Sequence, residues 1–373
     1  MPIPNDLRQM NRRQLLLASL KSGPATRSTL AKATGISQPT TGKIIEELIG
    51  DGVLRETETV IKSRKAGRPG NFVKVDDVQP RFLGVQLGAA RTTLASLTIA
   101  PILQDVWNKT IPTPNSVDAW IEAVVDAARP LLREQTTGVL LSVPGILDEA
   151  TGMTLLSPHA RWAEGQALAA RLEEAIDLPA HAVQEIQCLA VGHRVVNPSC
   201  DSFLLIDFGI GIGSASMVRG SVQRGPRPFA GELGHTAVHG EMTLCKCGGI
   251  GCLETVMGRH QVFGIAHSEG DADVLTPAES DALKNPAVYA RVRRGLEAAG
   301  FAIAAAMNVQ GFDHAVVTGF VADLPPELFS VLRNSVAASA VASRFGHVRV
   351  DAVPRHRMAG LASIGIDRMI VPA

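Results

Sequence analysis

The chain has 373 residues, with 36 Lys/Arg balanced by 36 Asp/Glu, and 46% of it is apolar. That much apolar material excludes disorder as the main state. The most apolar stretch, residues 300–309, is too short to span a bilayer. The opening residues, Met1 to Asp6, show no basic segment leading into an apolar one, so no secretion leader is expected. Five cysteines, an odd number, argue against a secreted disulfide framework. The expected compartment is the cytoplasm, and the length suggests roughly two or three domains.

The zero net charge hides an asymmetry. Residues 1–75 carry thirteen Lys/Arg and six Asp/Glu, a surplus of seven, so the remainder holds 23 basic and 30 acidic residues. This is the pattern of a basic arm or domain on an acidic body. A first helix is predicted from about Leu7 to Lys21, stopped by Ser22-Gly23-Pro24. Thr26 reads as the N-cap of a short helix, Gly35 as a tight turn, and Ser37 as the cap of a second helix running to about Gly50, with Pro39 in its first turn. Short helix, glycine turn and capped helix make a helix-turn-helix. Its second helix presents Gln38, Thr40, Thr41 and Lys43 as candidates for DNA contact: the short polar side chains at base edges, the lysine at phosphate. Val53-Leu54 and Phe72-Val73 then read as strands of a hairpin. Its tip carries Arg64, Lys65 and Arg68 among glycines and Pro69, a slim cationic wing suited to a minor groove.

After residue 82 the pattern becomes that of an α/β protein. Strands are expected at Phe82–Leu87, Thr93–Ile99 and through Val106-Trp107, a helix over Val117–Arg133, and a strand at Gly138–Val143. A similar order follows residue 200: strands at Phe203–Phe208 and Ser214–Val218, a helix near Arg291–Met307, and a strand at Ala315–Thr318. The repeated order predicts two related lobes with a cleft between them. No Gly-x-Gly-x-x-Gly opens a helix after a strand with an acid at the right distance, which disfavours a dinucleotide fold.

Cys245, Cys247 and Cys252 pack three thiols into eight residues, and His235 lies ten residues upstream in Gly231-Glu232-Leu233-Gly234-His235. Three Cys and one His form a closed tetrahedral shell of the structural-zinc kind, predicting one zinc per chain. Cys188 and Cys200 lie outside it. Glu232 and Glu254 flank the cluster, and paired carboxylates suit sugar hydroxyls.

These residues resemble the ROK family (repressors, open reading frames, sugar kinases), in its transcriptional-regulator branch. The resemblance rests on the helix-turn-helix, on Gly231-Glu232-Leu233-Gly234-His235, and on Cys245-x-Cys247-Gly248-Gly249-x-Gly251-Cys252-Leu253-Glu254. It implies a winged helix-turn-helix over residues 1–78 and a bilobal actin/hexokinase-like (ribonuclease H-like) domain over 79–373. The small lobe would span about 79–190 plus the extreme C-terminus, and the large lobe about 191–360. It further implies structural zinc, double-stranded operator DNA, a sugar or sugar-phosphate effector at Gln184, Glu185, Glu232, His235 and Glu254, and a homodimer or tetramer without membrane attachment. His159 aligns with a further position near the sugar.

The sequence departs from the kinase branch. Gln86-Leu87-Gly88-Ala89-Ala90 stands where that branch resembles Asp-x-Gly-x-Thr, and Gly209-Ile210-Gly211-Ile212-Gly213 lacks a threonine. Phe320 follows Gly319 where a second glycine is usual, and Val183-Gln184-Glu185 replaces Glu-Asn-Asp. These changes predict a non-enzymatic repressor of carbohydrate genes. The rival readings are an ATP-dependent sugar kinase with a regulatory head and a ligand-independent DNA-binding protein.

Overall fold

The computed structural model describes residues 4–57, 71–100, 102, 105–264 and 274–371. The basic head comprises α1 (Pro4–Ser22), β1 (Ala25–Thr26), α2 (Arg27–Thr34), α3 (Gln38–Gly50), β2 (Leu54–Thr57) and β3 (Phe72–Val75). Its boundaries follow from the caps. The Thr26 side chain accepts from the Thr29 N–H, and Ser37 accepts from Thr40. Gly35 adopts φ 72°, the left-handed turn that lets α3 leave α2 abruptly. The three short strands pair in the order β1-β3-β2, with Thr57 opposite Phe72. The wing residues Arg64, Lys65 and Arg68 lie outside the described residues.

The body contains two five-stranded sheets of the same topology. The first is built from β4 (Phe82–Leu87), β5 (Arg91–Leu97), β6 (Lys109–Pro112), β7 (Gly138–Val143) and β10 (Ala180–Gln184), in the order β10-β7-β4-β5-β6. The second uses β11 (Phe203–Phe208), β12 (Ile212–Val218), β13 (Ser221–Val222), β14 (His314–Gly319) and β15 (Arg349–Ala352), in the order β13-β12-β11-β14-β15. In each sheet the first three strands form an antiparallel meander, and the fourth and fifth add parallel to the first strand's other edge. The expected duplication is therefore present at the level of topology.

Two sequence expectations are corrected. The third strand is Lys109–Pro112, not Val106-Trp107. Asn108 supplies the reason: its N–H donates to Leu94 O and its Oδ1 accepts from Ser96 N–H, so the ladder starts after it. The helix α4 (Val117–Ala128) ends five residues before Arg133, because Pro130 has no amide proton and its ring clashes with a continuing helical turn.

A small hairpin, β8 (Ile146–Asp148) and β9 (Met153–Leu156), and α5 (Leu168–Ile176) complete the first lobe. α6 (Glu185–Val196) then leads to the second sheet, which is covered by α7 (Glu254–Met257), α8 (Arg259–Phe263), α9 (Pro277–Ala282), the long α10 (Pro286–Gln310) and α11 (Pro326–Ser339). The chain finally returns through α12 (Arg357–Gly365) and a π-helical turn at Ile366–Ile370 to pack on β4 and β7 of the first sheet. One apolar core joins this returning segment to the head: Leu15, Leu16, Ile45 and Val73 share it with Phe82, Leu97, Leu361 and Ile366. The result is a helix-turn-helix head on a bilobal actin/hexokinase-like body. No helix among the described residues is long and apolar enough to cross a membrane.

Candidate functional site: the inter-lobe cleft and a Cys3His cluster

The strand ends of both sheets meet around a cleft of about 330 Å³ lined by Gln86, His159, Gln184, Glu185, Asp207, Glu232, His235, Glu254, Arg355 and Arg357. The five expected effector residues are thus brought together, with His159 beside them. Glu254 opens α7, and its Oε1 accepts from the Ile212 N–H at 2.7 Å, tying it to the glycine-rich loop after β11. Burial, helped by the neighbouring Glu254 carboxylate, pushes Glu232 up to about 7. Gln184 is buried and accepts from Gln187 at 3.2 Å.

Two arginines not anticipated from the sequence dominate the cleft's other half. Arg355 clamps Asp207 in a bidentate pair, Nε to Oδ1 at 2.6 Å and Nη2 to Oδ2 at 2.9 Å, and Thr318 Oγ1 donates to the same Oδ1 at 2.7 Å. Burial alone would raise the Asp207 carboxyl, but Arg355 and Thr318 hold it below the usual range. The guanidinium lies over the glycine loops: a methyl placed on Gly209 would sit 2.8 Å from Arg355 Nη2, and one on Gly319 3.0 Å. Arg357, also buried, reaches Glu185 Oε1 at 2.7 Å, and Gln86 Nε2 donates to that oxygen at 3.3 Å. Both acids on this side are committed to internal partners. The sequence signal was modest, two arginines spaced by two just after a strand.

The four cluster residues converge, with one donor atom each from His235, Cys245, Cys247 and Cys252 all within 4.8 Å of one another. Cys245 Sγ lies 3.8 Å from His235 Nδ1, and Cys247 Sγ lies 3.8 Å from Cys252 Sγ. The edge of a tetrahedron with metal–sulfur bonds of about 2.3 Å is about 3.8 Å, so the donor set fits a tetrahedral cation. The Gly249 N–H donates to Cys247 Sγ at 3.4 Å, as a thiolate ligand would use it. Burial and the adjacent thiols push Cys252 up to about 12, so metal binding must displace its proton. With Nδ1 turned to the cluster, His235 Nε2 faces Glu232 Oε2 at 3.7 Å. His235 thus stands between the cluster and the cleft.

On the head, Gln38, Thr40 and Lys43 are exposed on the N-terminal half of α3. Thr41 is not. It is fully buried, and its Oγ1 donates to Ile36 O at 3.4 Å. The expectation of an exposed Thr41 is corrected because residues 41, 44, 45 and 48 form the buried stripe of α3.

A helix-turn-helix head joined to duplicated lobes around a carboxylate-bearing cleft, with a Cys3His cluster at its edge, defines a class of sugar-kinase-like regulators and enzymes. Residues 82–367 match the ROK family, and the chain belongs to it. It is 25% identical over 372 residues to the putative xylose repressor of Caldicellulosiruptor sp. (strain Rt8B.4), covering 92% of both chains. It is 25% identical over 242 residues to the DNA-binding transcriptional dual regulator NagC of Escherichia coli K12, covering 63% of this chain and 59% of that protein. The crystal structure of a ROK family transcriptional regulator, described as a homologue of the Escherichia coli MLC protein, superposes with a TM-score of 0.76 at 21% identity, covering 96% of both chains.

Proposed function

We propose that the chain is a cytoplasmic DNA-binding repressor of carbohydrate genes, responding to a sugar or sugar phosphate in the inter-lobe cleft. The observation that carries this reading is the exposed recognition helix α3 on a head that shares its core with a ROK body. Similarity along 92% of a putative xylose repressor supports it. In this reading residues 1–78 bind double-stranded DNA and 79–373 sense the effector. The small lobe takes in about 79–190 plus the extreme C-terminus, and the large lobe about 191–360. Gln38 and Thr40 meet base edges, and Lys43, Arg64, Lys65 and Arg68 meet phosphate or the minor groove. Glu232, Glu254, His235, Gln184 and Glu185 hold sugar hydroxyls. The Cys3His cluster holds one structural zinc. A dimer or tetramer would place two heads on half-sites about one or two helical turns apart.

Phosphoryl transfer is not part of the proposal. A base must reach the sugar hydroxyl, and a site is needed for nucleotide phosphates. Here Glu185 is held by Arg357 and Gln86, and the Arg355–Asp207 pair lies over the glycine loops. A coupled ADP-release assay over a panel of sugars is expected to show no turnover. A rate above about 1 s⁻¹, the low end for kinases, would restore the enzyme reading.

Mobility-shift titrations test the head. Lys43→Ala and Arg68→Ala should each weaken binding across all sequences and lower the salt slope by about one unit. Gln38→Ala should relax preference at one base position, by about 1–3 kcal/mol. Unchanged affinity in all three variants would remove α3 and the wing from the interface.

A further inference from the structure

We propose that α6 and α12 form one rigid lever that carries the state of the cleft to the head. One end is the Glu185–Arg357 pair and the other the Asp367–Arg13 pair. The proposal rests on the reading of the cleft as the effector site and the head as the DNA-binding unit.

Glu185 is the first residue of α6 and lines the cleft; Arg357 is the first residue of α12. Their side chains meet at 2.7 Å. The two helices then touch backbone to backbone. A methyl on Gly192 would lie 1.8 Å from His356 O, and one on Gly360 2.0 Å from Cys188 O. Cys188 Sγ also donates to Arg357 O at 3.3 Å. With no layer of side chains at these crossings, the helices cannot slide independently, because close-packed interiors transmit displacement rather than absorb it. Asp105 fixes the start of α12 by accepting from the Arg357 and Met358 N–H groups at 2.8 and 2.9 Å.

At its far end α12 runs directly into the π-helical turn Ile366–Ile370. A π turn is a local irregularity that concentrates at functional positions, since it holds one residue more than an α turn. Within it, Asp367 pairs with Arg13 of α1 at 2.7 Å. Both side chains are partly exposed, at 41% and 32%. An exposed pair of this kind contributes little to stability, so a small movement of α12 suffices to break it. A ligand that draws Glu185 away from Arg357 therefore shifts α12 with α6, and the shift reaches α1 through the Asp367–Arg13 pair and the apolar core that Leu15 and Leu16 share with Leu361 and Ile366. Linkage requires the reverse as well: a head fixed on DNA must alter the cleft.

A double-mutant cycle read by hydrogen exchange on the full-length chain tests this without any ligand. Glu185→Gln perturbs the cleft end and Arg13→Ala the head end. Each is expected to speed amide exchange in α1 by about three- to tenfold, and the double variant to add nothing further. Asp367→Asn should in turn speed exchange at the first turns of α6. Arg171→Ala, which removes an exposed pair with Asp118 elsewhere on the first lobe, should leave α1 unchanged. Additive effects of Glu185→Gln and Arg13→Ala, or an α1 indifferent to Glu185→Gln, would overturn the lever. A second arm uses a duplex selected from random sequences by the wild-type chain, on which Glu185→Gln should change affinity severalfold only while Arg13 is present. Failure of the wild-type chain to select any duplex would refute the DNA-binding reading, while the exchange cycle still decides the coupling.

Discussion

Gly360→Ala is expected to cost at least about 3 kcal/mol of folding stability, at the severe end for overpacking. The added methyl would lie 2.0 Å from Cys188 O and 2.8 Å from Cys188 Sγ. The first of these is backbone near the start of α6, so no side chain can rotate away and the helices must separate. Separation would also open the buried contact between Arg357 and Glu185. Thermal unfolding followed by circular dichroism should show the midpoint falling by roughly 6–12 °C, taking about 2–4 °C per kcal/mol for a unit of this size. Gly42→Ala is the contrasting substitution. Gly42 sits inside α3 with nothing within 4 Å of an added methyl, so alanine should stabilise the helix by up to about 1 kcal/mol. If Gly360→Ala unfolds within 1 kcal/mol of wild type on the same scale, the backbone contact between α6 and α12 is wrong.

Cys252→Ser is expected to abolish metal binding and to loosen the side of the cleft that carries Glu232, His235 and Glu254. Wild-type protein purified without chelator should carry one zinc per chain by elemental analysis, and the variant close to none. Cys252 lies between two anchors. It bridges to Ala237, and the next residue, Leu253, donates its N–H to Thr236 O at 2.9 Å. One more step along the chain is Glu254, whose carboxylate holds the Ile212 N–H. Loss of a metal held by this cluster would therefore loosen the two loops that carry His235, Glu232 and Glu254. Structural zinc sites supply folding free energy outright, so a destabilisation of at least about 3 kcal/mol is expected, comparable with other losses of a metal or disulfide. Any thermal shift that a sugar produces in the wild type should vanish in the variant. Cys200→Ser, outside the cluster, should retain full metal content. Metal-free wild-type protein of undiminished stability would contradict the assignment.

What could be read in the sequence was mostly local. Ser37 with Pro39, Thr26 and Gly35 announce helix ends through hydrogen bonds to residues three or four positions away, and the observed caps use those same atoms. The cluster of three cysteines is nearly contiguous, so its convergence needs only one distant partner, His235. The lobes repeat because strand order survives when residue identity drifts. What could not be read depends on separation. The Asp207–Arg355 pair spans 148 positions and Glu185–Arg357 172. Nothing near Pro354-Arg355-His356-Arg357 says that this segment returns to the cleft. Thr41 was misplaced for a different reason: a threonine reads as polar, yet its position in the helical stripe with Ile44, Ile45 and Leu48 decides its burial. Asn108 shifted the third strand by using its side chain as a substitute for the ladder.

The ion pairs of the head bear on how tightly DNA binding will answer to salt. Among the described residues, Arg8 pairs with Glu47, Arg12 with Asp51, Arg27 with Glu56, Arg55 and Lys74 with Asp77, and Arg13 with Asp367. Six of the thirteen basic side chains counted in residues 1–75 are therefore already matched to carboxylates. A matched cation that keeps its carboxylate releases no counterion when it meets a phosphate. Counting every other basic residue of the segment, Lys21, Lys32, Lys43 and those at 62, 64, 65 and 68 in the sequence, leaves at most seven to do so. If all six pairs persist on DNA, then at about 0.9 counterions per phosphate one head should give a logarithmic salt slope no steeper than roughly −6. The operator complex would then tolerate changes in ionic strength that a head using all thirteen cations would not.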